Sequence, residues 1–227
     1  MRSPTVSPIL QQIAQQAGQD PEFFFTTLAH HIDVDLLREA YDRTAKQAAP
    51  GIDGTTAEIY AENVEENLTH LHQQMRTGSY HAPPVKRVWL DKDDGSQRPI
   101  GMPTFEDKIA QRAVAMILET VYEQDFYPFS YGFRPGRNPH QALFVLREGC
   151  MRMGGSWIVD ADIKGFFDTI DHTMLRDIIK KRINDGGIIR LIGKWLNAGV
   201  LEGERVIHSE QGTPQGGVVS PILANIF

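Results

Sequence analysis

The fold turns on Trp157-Ile158-Val159-Asp160-Ala161-Asp162-Ile163-Lys164-Gly165-Phe166-Phe167-Asp168. Its first seven residues predict an apolar strand, and strand geometry sends residues two apart to the same face, so the carboxylates of Asp160 and Asp162 point one way. A carboxylate on a buried strand without a partner is strongly unfavourable. An edge strand with one solvated face, or nearby cations, would satisfy both acids structurally. A divalent-metal site would use them chemically, since Mg²⁺ takes hard oxygen ligands and needs only one or two carboxylates when phosphates supply the remainder. Phe166 and Phe167 follow directly, so a metal ligand here would lie beside a bulky ring able to sieve a substrate.

Upstream, Val85 to Asp91 predicts a strand, Asp93 to Gln97 a hairpin turn and Arg98 to Ile100 the start of the return strand. Lys92 and Arg98 near the base of such a hairpin could grip a triphosphate, the lysine as a point charge and the arginine as a bidentate fork. An ordinary solvated hairpin carries the same residues. In Tyr131-Gly132-Phe133-Arg134-Pro135-Gly136-Arg137, cations mixed with aromatic rings suit a nucleic-acid backbone; a structural loop capping a helix fits that composition equally well.

Farther out the pattern is largely helical. Ala49-Pro50-Gly51-Ile52-Asp53-Gly54 closes a helix across Val34 to Lys46. Tyr60, Val64, Leu68, Leu71 and Met75 recur at helical spacing up to Gly78, and Ile109, Ala113, Met116, Ile117 and Val121 line one face of a helix from Phe105 to Tyr122. His140 to Met151, Thr173 to Ile183 and Ile188 to Ala198 predict further helices. Val200 to Ser209 reads as a hairpin turning at Glu202-Gly203, and Pro221 to Phe227 as helix-like.

The chain has 227 residues with a formal net charge of -6. A length of this order buries roughly 70% of the unfolded surface. One cysteine, Cys150, excludes an internal disulfide framework and a cysteine zinc site. Glutamines interrupt Ile9, Leu10 and Ile13, unlike a signal peptide, and no run reaches the ~18 apolar residues of a membrane helix. The expectation is a soluble cytoplasmic protein without a membrane partner. The charge is uneven: residues 1 to 75 carry a net -7 and residues 76 to 227 a net +1, so phosphate is not repelled from the later part as the total suggests. Gly212 to Gly217 lacks the Gly-Lys-Ser/Thr ending of a P-loop, there is no Gly-x-Ser-x-Gly elbow, and His70 and His72, two apart on a predicted helix, share no face for zinc.

Five blocks in order are highly specific: Pro50 to Gly54; Arg98-Pro99-Ile100-Gly101-Met102-Pro103-Thr104 with Asp107-Lys108; Ser130 to Arg137; Asp160 to Asp168; and Gly212-Thr213-Pro214-Gln215-Gly216-Gly217 leading to Ser220-Pro221. In order and spacing they resemble the reverse transcriptases of bacterial group II introns. The resemblance implies an α+β right-hand polymerase of fingers and palm that copies RNA into DNA and binds its intron RNA to assist splicing. The implied partners are an RNA template, intron RNA, a DNA primer and dNTPs. Position by position, it makes Asp162 a catalytic metal ligand with the Ile163 carbonyl oxygen beside it and Mg²⁺ as the cofactor. Phe167 becomes the steric gate against a ribonucleotide 2'-hydroxyl, Lys92 and Arg98 the fingertip pair on the triphosphate, and Gln215 part of the nucleotide pocket. Arg134 and Arg137 fall in a nucleic-acid-binding motif, and Asp160 receives no catalytic role.

The expected organisation is an acidic helical extension over 1–75, fingers over 76–115 and 172–212, and an incomplete palm over 116–171 and 213–227, with antiparallel sheet elements. The family's second metal-binding element, Tyr-Ala-Asp-Asp, would lie beyond Phe227. The polypeptide alone is therefore expected to be inactive, to retain no tightly bound Mg²⁺, and to self-associate through the exposed palm edge. Two other readings share the blocks: a non-catalytic RNA- or partner-binding module, and a CRISPR-associated reverse transcriptase.

Overall fold

The computed structural model describes residues 7–91, 93, 95–154, 157–208, 211–213 and 216–227. Its centre is a long helix, and the chain reaches it through four others. Helix α1 (Pro8–Gln19) buries Leu10, Ile13 and Ala17. Helix α2 (Val34–Arg43) starts where Asp33 accepts a 2.8 Å hydrogen bond from the Leu36 amide, satisfying an otherwise orphaned N-terminal donor. Helix α3 (Ala57–Ala61) and helix α4 (Val64–Thr77) follow, the latter ending at Gly78 in the left-handed conformation.

Strands β1 (Val85–Asp91) and β2 (Gln97–Met102) form the expected hairpin, in register from Lys86 opposite Met102 to Asp91 opposite Gln97. The central helix α5 (Phe105–Tyr122) comes next, capped by Thr104, and is buried on nearly every side. That environment explains why its apolar residues exceed one stripe. Helices α1 and α2 pack on it, so the apolar residues of the acidic N-terminal segment belong to the same core.

Helices α6 (Pro139–Met153), α7 (Phe166–Thr169), α8 (His172–Lys180) and α9 (Gly186–Leu196) precede strands β3 (Val200–Glu202) and β4 (Arg205–Ile207), and α10 (Ser220–Ile226) closes the described chain. The sheet order is β2-β1-β3-β4. The pairing of β1 with β3 is parallel, Val85 opposite Val200 and Lys86 opposite Leu201. The β1–β2 and β3–β4 hairpins are the expected antiparallel elements, and the parallel pairing joins them: the chain between β1 and β3 runs through α5 to α9, and such a crossover returns the second strand in the same direction.

Two side chains clamp the N-terminal segment to α8 and α9. Arg182 is buried, and its guanidinium donates to Ala17 O (2.9 Å), Asp20 O (3.0 Å), Pro21 O (2.6 Å), Phe23 O (2.7 Å) and the Asp125 carboxylate (2.9 Å). Asp185 caps α9 through Gly187 and Ile188 and accepts from Leu28 (2.5 Å) and Ala29 (2.9 Å) with its other oxygen. Burial pushes its carboxyl up, but the four backbone donors outweigh burial and hold it below the ordinary value.

One correction concerns the opening stretch. Trp157 to Ile163 adopts no strand: these residues are unpaired, with Trp157 93% and Val159 90% exposed. A strand needs a neighbour for its amides and a surface for its side chains, and among the described residues neither lies alongside. Helix α6 shares this environment. It buries no residue, leaves Leu143, Phe144 and Leu146 exposed, and is held locally by the Asn138–Gln141 capping box and Gly154.

Candidate active site

Although the 157–163 stretch forms no strand, it still delivers its carboxylate to a cleft. A hollow of about 750 Å³ is lined by Arg98 from β2 and by Asp162, Ile163 and Phe167, with Gln97, Pro99 and Asp168 among the other lining residues. Four residues nominated separately from the sequence thus face one volume. Asp162 and Ile163 are exposed to it, and Phe167 is half-buried. Asp160 is also exposed but does not line the hollow. Lys92 and Gln215 lie outside the described residues.

The floor is fixed by contacts between sequence blocks. Helix α7 carries Phe167, whose ring meets Phe166 edge-on at 6.0 Å, and Phe166 reaches Phe227 at 6.1 Å. Thr213 donates its amide to Phe167 O (2.8 Å), and Gly212 donates to Ile170 O (2.8 Å). Nε2 of the buried His172 lies 2.5 Å from Gly212 O; because a carbonyl only accepts, the proton of this ring sits on Nε2. Gly212 has φ 83°, and a Cβ there would come within 2.8 Å of Asp168 O. Gly216 has φ 111°, and a Cβ would clash with Gly101 O and lie 2.8 Å from Ile100 Cγ2. Both positions therefore require glycine, for conformation and for close approach. The glycine-rich block is laid between the phenylalanine helix and β2, joining both walls of the cleft.

Beneath this floor is a buried polar cluster. Asp107 accepts from Tyr80 Oη, Trp195 Nε1 (2.7 Å) and Gln111 Nε2 (2.9 Å), and Gln111 Oε1 accepts from the Val219 amide (3.3 Å). Burial raises the Asp107 carboxyl to about 6, and these three donors offset only part of that rise. Lys108 donates to Ala49 O (2.9 Å), tying the Pro50–Gly54 block to the start of α5.

The two arginines of the Tyr131–Arg137 block part company. Arg134 is buried and spends its guanidinium internally, on Glu123 (2.7 Å), Tyr127 O (2.7 Å) and Ser130 O (2.8 Å). Such an arginine organises a loop. Arg137 is half-buried and lies over the Tyr131 ring at 5.3 Å.

Among the described residues, no group of three or more His, Cys, Asp or Glu side chains could hold a metal ion. The cleft offers the carboxylates of Asp162 and Asp168 and the Ile163 carbonyl. All of these donors are hard oxygens, which fit a divalent cation of the Mg²⁺ or Ca²⁺ kind sharing its shell with phosphate.

Gln97, Pro99, Asp168 and His172 escaped the sequence reading as site residues. Asp168 closes the quoted stretch and Gln97 precedes Arg98 on β2, so position alone could have nominated both. The contact of His172 with Gly212 spans 40 residues and leaves no local signal.

Residues 90–227 match the family model of the reverse transcriptase (RNA-dependent DNA polymerase). The chain is 32% identical over 229 residues to Protein YkfC of Escherichia coli K12, covering 98% of this chain and 60% of that protein. It is 38% identical over 230 residues to the group II intron-encoded protein LtrA of Lactococcus lactis, covering 99% and 37%. The chain therefore spans 60% of the length of the first relative and 37% of the second. Among solved structures, a partial Cas6-RT-Cas1–Cas2 complex superposes with a TM-score of 0.54 at 22% identity, over 86% of this chain and 32% of that one, a likeness of fold. No helix among the described residues is long and apolar enough to cross a membrane. The chain belongs to the reverse transcriptase (RNA-dependent DNA polymerase) family and is similar to group II intron-encoded proteins.

Proposed function

We propose that this chain supplies the nucleotide-binding part of an RNA-directed DNA polymerase of the group II intron type, acting on an RNA template, a DNA primer and dNTPs, with intron RNA as a further partner. One observation carries the reading: Arg98, Asp162, Ile163 and Phe167, from two distant segments, line a single cleft. In the reaction the primer 3'-hydroxyl attacks the α-phosphate, a new P–O bond forms, and the bond to the β-phosphate breaks to release pyrophosphate. Protein catalysis of such a transfer is mainly positioning and charge stabilisation.

Each residue has a role in that positioning. Arg98, with Lys92, grips the triphosphate as a planar fork. Phe167 packs against the sugar and excludes a 2'-hydroxyl sterically. Gln215 lines the nucleotide pocket from the glycine block. The Asp162 carboxylate and Ile163 carbonyl would hold Mg²⁺, which when bound supplies charge stabilisation to the reacting oxygens. Residues 76–115 and 172–212 then act as fingers and 116–171 and 213–227 as palm, behind an extension over 1–75. Arg137 supplies the outward cation of its block.

Titration of dTTP and UTP in Mg²⁺ buffer against wild type and Phe167→Ala tests this. The expected result is preference for dTTP in wild type and loss of that preference in the variant. Equal affinity for both nucleotides in wild type, or an unchanged preference in Phe167→Ala, would overturn the gate assignment.

A further inference from the structure

We infer that Asp107 and Gln111 form a polarity relay that fixes the Val219 end of the glycine block and thereby positions the nucleotide pocket; the second half of this statement rests on the function proposed above. Asp107 and Gln111 are each 3% exposed and sit one turn apart on α5. An ionised carboxylate only accepts hydrogen bonds, and a backbone amide only donates. Gln111 stands between one of each: its Nε2 faces Asp107 Oδ2 at 2.9 Å and its Oε1 faces the Val219 N–H at 3.3 Å. The partners at its two ends therefore dictate one orientation of the amide.

The other carboxylate oxygen is engaged by Tyr80 and by Trp195 Nε1, so Asp107 is held from the segment before β1 and from α9 at once. Val219 directly precedes α10, and the Thr213 and Ser220 hydroxyls lie 2.6 Å apart, buried, across the same block. The relay thus runs from the fingers-type elements α5 and α9 to the loop that lies on Gly101 of β2.

Its logic predicts how it fails and how it is repaired. In Asp107→Asn, Oδ1 still accepts from Tyr80 and Trp195, but a donor now faces Gln111. The amide turns over to present its oxygen, which points its NH₂ group at the Val219 N–H and leaves two donors opposed. Adding Gln111→Glu restores complementarity, because a carboxylate accepts at both ends, from Asn Nδ2 and from the Val219 amide. The single buried negative charge has moved by one turn.

Amide hydrogen exchange at Val219 reads this directly. Asp107→Asn should lower its protection about tenfold, the effect of one lost hydrogen bond. Asp107→Asn with Gln111→Glu should return it to within about twofold of wild type, a coupling that independent sites would not show. Dissociation constants for dTTP should follow the same order. Unchanged Val219 protection in the single variant, or no recovery in the double, overturns the relay. If Asp107→Asn fails to fold, a folded double variant with wild-type protection supports it and an unfolded one overturns it. Val219 that follows the swap while dTTP affinity does not overturns the positioning half. A wild type that binds no nucleotide overturns the function proposed above, and Val219 still decides the relay.

Discussion

Replacing Arg182 by methionine should detach the N-terminal segment before it unfolds the rest of the molecule. The substitution keeps most of the buried stem and removes the guanidinium, so four carbonyl oxygens, of Ala17, Asp20, Pro21 and Phe23, lose a donor and Asp125 loses its ion-pair partner. The Arg182 side chain is 8% exposed and that of Asp125 29%, so water reaches the carboxylate but little of the cation. Removing one member of a buried pair costs about 3–5 kcal/mol, and the carbonyls are not additive with it. For a domain of this size the loss corresponds to a fall in Tm of about 6–20 °C. Arg182→Lys keeps the charge but offers three donors in place of a fork, and should give about half the loss. Urea denaturation supplies the free energy, and amide exchange locates it, with residues 8–25 losing protection first. A loss below about 1 kcal/mol, with that segment fully protected, would refute the clamp.

Other expectations follow from the same contacts. The Asp107 carboxyl ionises near 3.8 when unfolded and at about 6 when folded, so between these values the native state keeps a proton that the unfolded chain has released. Stability should therefore fall by about 3 kcal/mol as pH rises through that window. Asp107→Asn should lack this segment of the urea-midpoint profile, and a profile parallel to wild type would count against the buried carboxylate. Gly216→Ala should destabilise the chain by about 1–3 kcal/mol, or weaken dTTP binding if the loop yields instead; no change in either would contradict the close approach to Gly101. Arg137→Ala should reduce the salt dependence of single-stranded RNA binding by about 0.7 in log-log slope at unchanged Tm. Arg134→Ala should lower Tm, and an Arg134→Ala protein of wild-type stability with weaker RNA binding would reverse the assignment.

Local chemistry made much of this fold legible. Strand β1 and helix α5 lie over the expected residues, because a hairpin turn and a helical repeat are set by near neighbours, and Gly78 ends α4 by its own backbone freedom. The cleft was legible through Arg98, Asp162, Ile163 and Phe167, residues embedded in long blocks. What sequence could not supply was context. Trp157 to Ile163 has the composition of a strand, but pairing depends on a neighbour that composition does not describe. The parallel contact of Val85 with Val200 spans the intervening helices. Composition left Arg134 open between a nucleic-acid contact and a structural loop, and Glu123 with two carbonyls draws it inward.

The clamps made by Arg182 and Asp185 also set an order of assembly during synthesis. The amide of Leu28 waits for a carboxylate 157 residues later, and the carbonyl of Ala17 for a guanidinium 165 residues later. At roughly 5–20 residues per second, a ribosome leaves that segment without its partners for about 8–30 s. During this interval α1 can dock only through its apolar stripe, and the growing chain carries that helix loosely held.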